Sequence, residues 1–141
     1  GIVLWLSYAG FRIAFLDYQL SKTSKTKLPP AVQVKLHIEK EQAFLDPEFR
    51  PSHLKYRFGL SPKVRQAALQ KAFGQSFWNT VTDLRIAQAK QRLLHARFQQ
   101  HNALNIGLEV GFPSKKAFAQ AFKATTGLSP KAFRQRALSS E

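Results

Sequence analysis

Beyond residue 50, apolar side chains recur every three or four positions, the period of helices that each bury one face. Leu54 and Phe58 form a first run, over residues 51–58, ended by Gly59. Val64, Ala68, Leu69 and Phe73 form a second, opened by Ser61-Pro62 and stopped by Gly74. A serine N-cap with proline at the first helical position, and a glycine just past the end, are the boundaries a helix prefers. A longer run through Phe77, Val81, Leu84, Ala87, Leu93 and Leu94 predicts a helix from Ser76 to about Ala96, with Arg85, Lys90 and Arg92 off its apolar face. Ile106 and Val110 then lead to Gly111 and Phe112. Ser114 opens the run Phe118, Ala121, Phe122, and Ser129-Pro130 opens a last short helix with Phe133. Upstream, Val34, Leu36 and Ile38 predict a helix from Ala31 to Phe44, set off by Pro29-Pro30 and by Asp46-Pro47. The elements together predict an all-α fold.

The pattern repeats. Leu54 and Ile106 lie 52 residues apart, as do Gly59 and Gly111. Ser61 and Ser114 lie 53 apart, as do Leu69 and Phe122, and Gly74 and Gly127. One inserted residue near Pro113 accounts for the change of offset. A period this long describes two like modules, not a stacked solenoid. The chain therefore divides into a segment 1–28, a connector helix at 29–48 and a paired unit at 49–137. Within that unit the first module is 49–75, the linker helix 76–98 and the second module 103–137.

In each module a short helix, a glycine turn and a second helix with a polar outer edge are the parts of a helix-turn-helix that reads DNA. Periodicity alone favours an ordinary helical hairpin with a solvated outer face. Charge separates the two. Residues 1–50 hold seven basic and five acidic residues, a net of +2, whereas residues 51–141 hold fifteen and three, a net of +12. Such an excess on the helical part points to a polyanionic partner, nucleic acid foremost.

Residues 1–16 are mostly apolar but short for a bilayer span and interrupted by Arg12. Lys22, Lys25 and Lys27 follow, as on the cytoplasmic flank of a membrane helix, and Trp5 and Tyr8 suit an interface. A membrane-entering segment and a soluble helix packed on a further domain are both open readings, and neither charged leader nor cleavage site marks a signal peptide. The chain begins at Gly1 and has no Met, so it is read as the C-terminal piece of a longer protein whose sensor or effector half lies upstream. It has no Cys, which excludes disulfides and thiolate chemistry.

Residues 49–137 resemble the DNA-binding domain of AraC/XylS-type transcription regulators. The resemblance is carried by Ile106, Val110-Gly111-Phe112, Ser114, Phe118, Phe122-Lys123, Gly127, Ser129-Pro130 and Arg134. The block from Arg85 to Lys90 with Leu93-Leu94 is similar to the family's linker helix. Leu54, Gly59, Ser61 and Gly74 fit the first module, while Arg65, Ala67 and Leu69 stand where the family usually has leucine, arginine and phenylalanine. The resemblance implies a homeodomain-like pair of helix-turn-helix modules, a promoter or operator as partner, contact with RNA polymerase, and no cofactor. The apolar start with its basic flank is similar to the subgroup whose regulatory half is a membrane-embedded bundle. That would place a cytoplasmic DNA-binding part at the inner membrane.

On the second module Lys115, Lys116 and Gln120 fall off the apolar stripe and are the expected base readers. Lysine donates to guanine O6 and N7, and glutamine pairs with adenine N6 and N7. On the first module Lys63, Gln66 and Gln70 point outward by helical spacing, and the resemblance implies Lys63, Gln66 and Ala67 as groove-facing positions. Ser61, Gln70, Lys71, Ser114, Lys123 and Arg134 are the expected phosphate contacts, with a solvated or structural role open for Lys71, Lys123 and Arg134. Arg85 is expected to be structural. The departures in the first module predict that the second supplies more of the specificity.

Catalysis has little to stand on. His37, His53, His95 and His101 show no metal-ligand spacing and no carboxylate cluster. Ser24-Lys25-Thr26-Lys27 satisfies Ser-x-x-Lys only formally, and Asp46 and Glu48 flank a turn proline. No enzyme, metal or cofactor is expected. The alternatives that remain are a DNA-targeting module of a membrane sensor or fused enzyme, and a general basic nucleic-acid binder.

Overall fold

A computed structural model describes residues 27–140, and the described residues form helices and turns without a strand. Helix α1, Pro30–Lys35, runs into a wider π turn, Leu36–Lys40. Gln42 then adopts left-handed backbone at φ 57°, and a single 3-10 turn, Ala43–Leu45, follows. The helix expected to reach Phe44 thus stops at Lys40, because a left-handed residue cannot continue the hydrogen-bond ladder. The break turns Phe44 inward, where it is buried.

Helices α2 (Pro51–Phe58), α3 (Pro62–Phe73) and α4 (Phe77–Leu94) follow. Beyond a 3-10 turn at Ala96–Phe98 come α5 (Ala103–Glu109), α6 (Lys115–Thr126) and α7 (Pro130–Ser139). The serine caps act as the spacing predicts. Ser61, Ser76, Ser114 and Ser129 each accept a main-chain N–H three residues on, from Val64, Asn79, Ala117 and Ala132.

Two cores result. Val34, Ile38, Phe44, Phe49, Leu54, Leu69, Phe77 and Val81 fill the first. The connector is therefore built into the first module. Ile86, Leu93, Ile106, Val110, Phe112, Phe118 and Phe122 fill the second, with Phe118 set edge-on to Phe122 and Phe122 edge-on to Phe133. Helix α4 serves both cores, the first with Phe77 and Val81 and the second with Ile86, Ala89 and Leu93. Leu45 packs against both. One continuous helix buried at each end restrains the two modules far more than an exposed linker would.

The apolar run at 1–16, with Lys22 and Lys25, lies outside the described residues. Among the described residues no helix is long and apolar enough to cross a membrane.

Candidate nucleic-acid interface

Helices α3 and α6 occupy the same place in the two modules, each capped by serine and each ended by a glycine in left-handed backbone, Gly74 at φ 70° and Gly127 at φ 79°. On α3, Ala68 and Leu69 face the core, and Lys63, Gln66, Ala67 and Gln70 are all exposed. Their spacing of three and four residues makes them one stripe on the helix surface. On α6, Phe118 and Phe122 are fully buried, and Lys115, Lys116, Gln120 and Lys123 are exposed. The 53-residue offset lays Lys63 on Lys116, Ala67 on Gln120 and Gln70 on Lys123. The two outward edges are therefore equivalent in position and differ in chemistry: the second places glutamine and lysine where the first has alanine and glutamine.

Neither helix carries an acidic residue. Between residues 51 and 140 the carboxylates are Asp83 and Glu109, both off these helices. Asp83 accepts from Gln75 Nε2 at 3.1 Å, and Glu109 meets His101 at 2.8 Å and Arg92 at 3.6 Å. The basic edges thus face solvent with no anion on the same helix to neutralise them, the condition for attracting phosphate.

Ser61 and Ser114 are exposed caps whose hydroxyls already accept from Val64 and Ala117 at 3.3 and 3.0 Å. Each hydroxyl keeps its proton to donate outward. Lys71 and Lys123 are also exposed, in the last turns of α3 and α6.

Arg134, an expected phosphate contact with a structural role also open, is engaged by the fold. Its Nε donates to the Leu93 carbonyl at 3.1 Å, Nη1 to His101 at 2.7 Å and Nη2 to Phe98 at 3.2 Å. The guanidinium closes the end of α4 and the turn beyond it, so its first role is to hold the fold. Arg85 has the structural role expected of it, buried with 5% of its surface exposed.

Two residues that periodicity did not single out border the interface. Trp78 is half exposed at the start of α4 and shares a cleft of about 320 Å³ with Arg65, Gln66 and Gln70. Lys131, its equivalent by the 53-residue offset, lines a similar cleft of about 620 Å³ beside Ala119 and Ser129. The offset itself was the available signal, since Ser76 and Ser129 obey it.

The histidines have more carboxylate company than expected. His37 Nδ1 lies 2.7 Å from Glu41 and His101 Nδ1 lies 2.8 Å from Glu109. Each is a single pair, and no group of three metal-ligating side chains occurs among the described residues.

Residues 55–136 match the family model of a helix-turn-helix domain. No curated protein matches the chain in sequence. Among solved structures, the chain is similar to the C-terminal domain of the two-component response regulator yesN from Fusobacterium nucleatum. Identity there is 27%, over 74% of this chain and 97% of that one, with a TM-score of 0.64. The C-terminal domain of AraT, a response regulator from Geobacillus stearothermophilus, is 23% identical over 77% of this chain and 85% of its own, with a TM-score of 0.67. A transcriptional regulator with an AraC-type DNA-binding domain from Chromobacterium violaceum is 20% identical over 74% and 93%, with a TM-score of 0.59.

Proposed function

The chain belongs to the AraC-type helix-turn-helix family, as a DNA-binding transcription regulator, and from that footing we propose how it reads its site. Helices α3 and α6 enter two successive major grooves on one face of the duplex, about 34 Å apart. The observation that carries this is the pair of equivalent, acid-free edges held on one helix that is buried in both cores. Lys115, Lys116 and Gln120 read bases from α6, and Lys63, Gln66 and Ala67 from α3. Ser61, Gln70, Lys71, Ser114 and Lys123 hold phosphates, with Trp78 and Lys131 beside them. A chain built this way recognises an asymmetric site without dimerising.

The richer edge on α6 supports a larger share of specificity for the second module. Ala67 offers a methyl group, suited to a thymine methyl. RNA polymerase contact and an upstream sensor half accord with a transcription regulator. Anchoring through residues 1–16, with a cytoplasmic DNA-binding part, rests on the composition of that segment alone. No catalytic group enters this reading.

The test is selection of duplexes from a random library by the full chain, followed by binding titrations at several salt concentrations with duplex RNA as competitor. The reading predicts one enriched bipartite motif, a steep fall of affinity with salt, and little displacement by RNA. Enrichment of no motif, or equal binding of RNA, would overturn it in favour of a general basic nucleic-acid binder.

A further inference from the structure

Helix α4 carries one charged side chain into the interior, and it grips a segment some forty residues upstream. Arg85 Nε donates to the Phe44 carbonyl at 2.7 Å and Nη2 to the Asp46 carbonyl at 2.9 Å. The same guanidinium lies 5.8 Å from the centre of the Phe112 ring, in the turn of the second module. Gly111, beside it, has φ 105°, and a Cβ there would sit 2.6 Å from the Phe44 carbonyl oxygen, 2.8 Å from that of Leu45 and 2.9 Å from Arg85 Nε. Leu45 packs against both cores. Residues 44–46 are therefore wedged where the first core, the middle of α4 and the turn of the second module meet.

We infer that this wedge, clamped by Arg85, sets how α3 and α6 stand relative to each other and so which separation between half-sites the chain accepts. The inference rests on the two-groove reading above. A helix joining two modules can bend, and each module can pivot on its own end of it. A third contact at the midpoint removes that freedom. Gly111 lets the second module's turn come flush against the wedge, and its left-handed backbone disfavours any larger residue. Both Arg85 bonds run to main-chain carbonyls, so the clamp reads the path of the connector and not its side chains. Burial holds the Arg85 guanidinium below its ordinary value, opposed by the field of Asp46, and an arginine so shifted stays charged. A charge kept out of water in this way must keep its partners.

The test uses the 141-residue chain and the duplex it selects from a random library. Affinity is measured for that duplex, for versions with one base pair added or removed between half-sites, and for one with the first module's half-site scrambled. The parent should lose about tenfold for each one-pair shift. Arg85→Lys, which keeps the charge but cannot span both carbonyls, should cut that penalty to under about threefold and leave the scrambled duplex within about twofold of the parent. An unchanged penalty, or one uniform loss on all four duplexes, would overturn the inference and leave Arg85 merely structural. If Arg85→Lys fails to fold by circular dichroism, Leu45→Ala trims the shared packing without touching the charge and is read the same way. A parent indifferent to scrambling would instead overturn the two-groove reading itself.

Discussion

Gly107 sits directly against the ring of Phe118, where a Cβ on the glycine would overlap Phe118 Cγ and Cδ1. The first helix of the second module can cross its reading helix this closely only because position 107 has no side chain. Helix propensity alone would favour Gly107→Ala by up to about 1 kcal/mol. The contact predicts the opposite sign, a loss of about 1–3 kcal/mol from overpacking. Urea unfolding followed by circular dichroism decides between them, and a stabilised variant would contradict the packing.

Arg134 and Lys123 should separate cleanly. Arg134→Ala leaves the carbonyls of Leu93, Phe98 and His101 without their donor and should cost about 1–3 kcal/mol of stability. Lys123 is exposed, so Lys123→Ala should change stability by less than about 0.5 kcal/mol. In DNA binding the order reverses: Lys123→Ala should lower the slope of log affinity against log salt by about 0.9, and Arg134→Ala should leave that slope in place.

Lys116 and Lys63 occupy equivalent positions on α6 and α3. Lys116→Ala should weaken binding to the selected duplex by about 1–3 kcal/mol and binding to random DNA far less. Lys63→Ala should show the same pattern more weakly. Equal losses on selected and random DNA would make Lys116 a phosphate contact.

Acid should act on the connector. A hydrogen bond from His37 holds the Glu41 carboxyl below its ordinary 4.5, with the charges of His37 and Arg57 adding to it and modest burial opposing. A carboxylate whose folded value is depressed stabilises the fold above its unfolded value, and that stability is lost as pH falls through the folded one. Glu41→Gln should therefore lower thermal stability slightly near neutrality, where the carboxylate contributes in full, with the difference from the parent vanishing as pH falls below about 4.5. The effect should be small because the pair faces solvent.

Most of the helix boundaries were legible because local chemistry sets them. Ser61, Ser76, Ser114 and Ser129 cap the helices they precede, and Gly59, Gly74 and Gly127 end the helices they follow. The outward edges were legible for the same reason, since Phe118 and Phe122 fix which face of α6 is buried. What escaped depends on distant residues. Nothing local to Gln42 announces its left-handed turn, which is held by packing of Phe44 and by Arg85, about forty residues on. The three carbonyl partners of Arg134 come from two other turns of the chain, and Gly107 reads as a helix weakness until Phe118 is seen against it. Val64, assigned to an apolar stripe by spacing, is instead 42% exposed, because the last turns of α3 carry the burial.

Hydroxyl-radical footprinting of the full chain on its selected duplex tests the central claim most directly. Two equivalent reading helices on one shared helix predict protection on a single face of the DNA. Its centre should cover two successive major grooves about 10 base pairs apart, with the stronger base-sequence preference under α6. Protection confined to one groove, or spread evenly around the duplex, would contradict it.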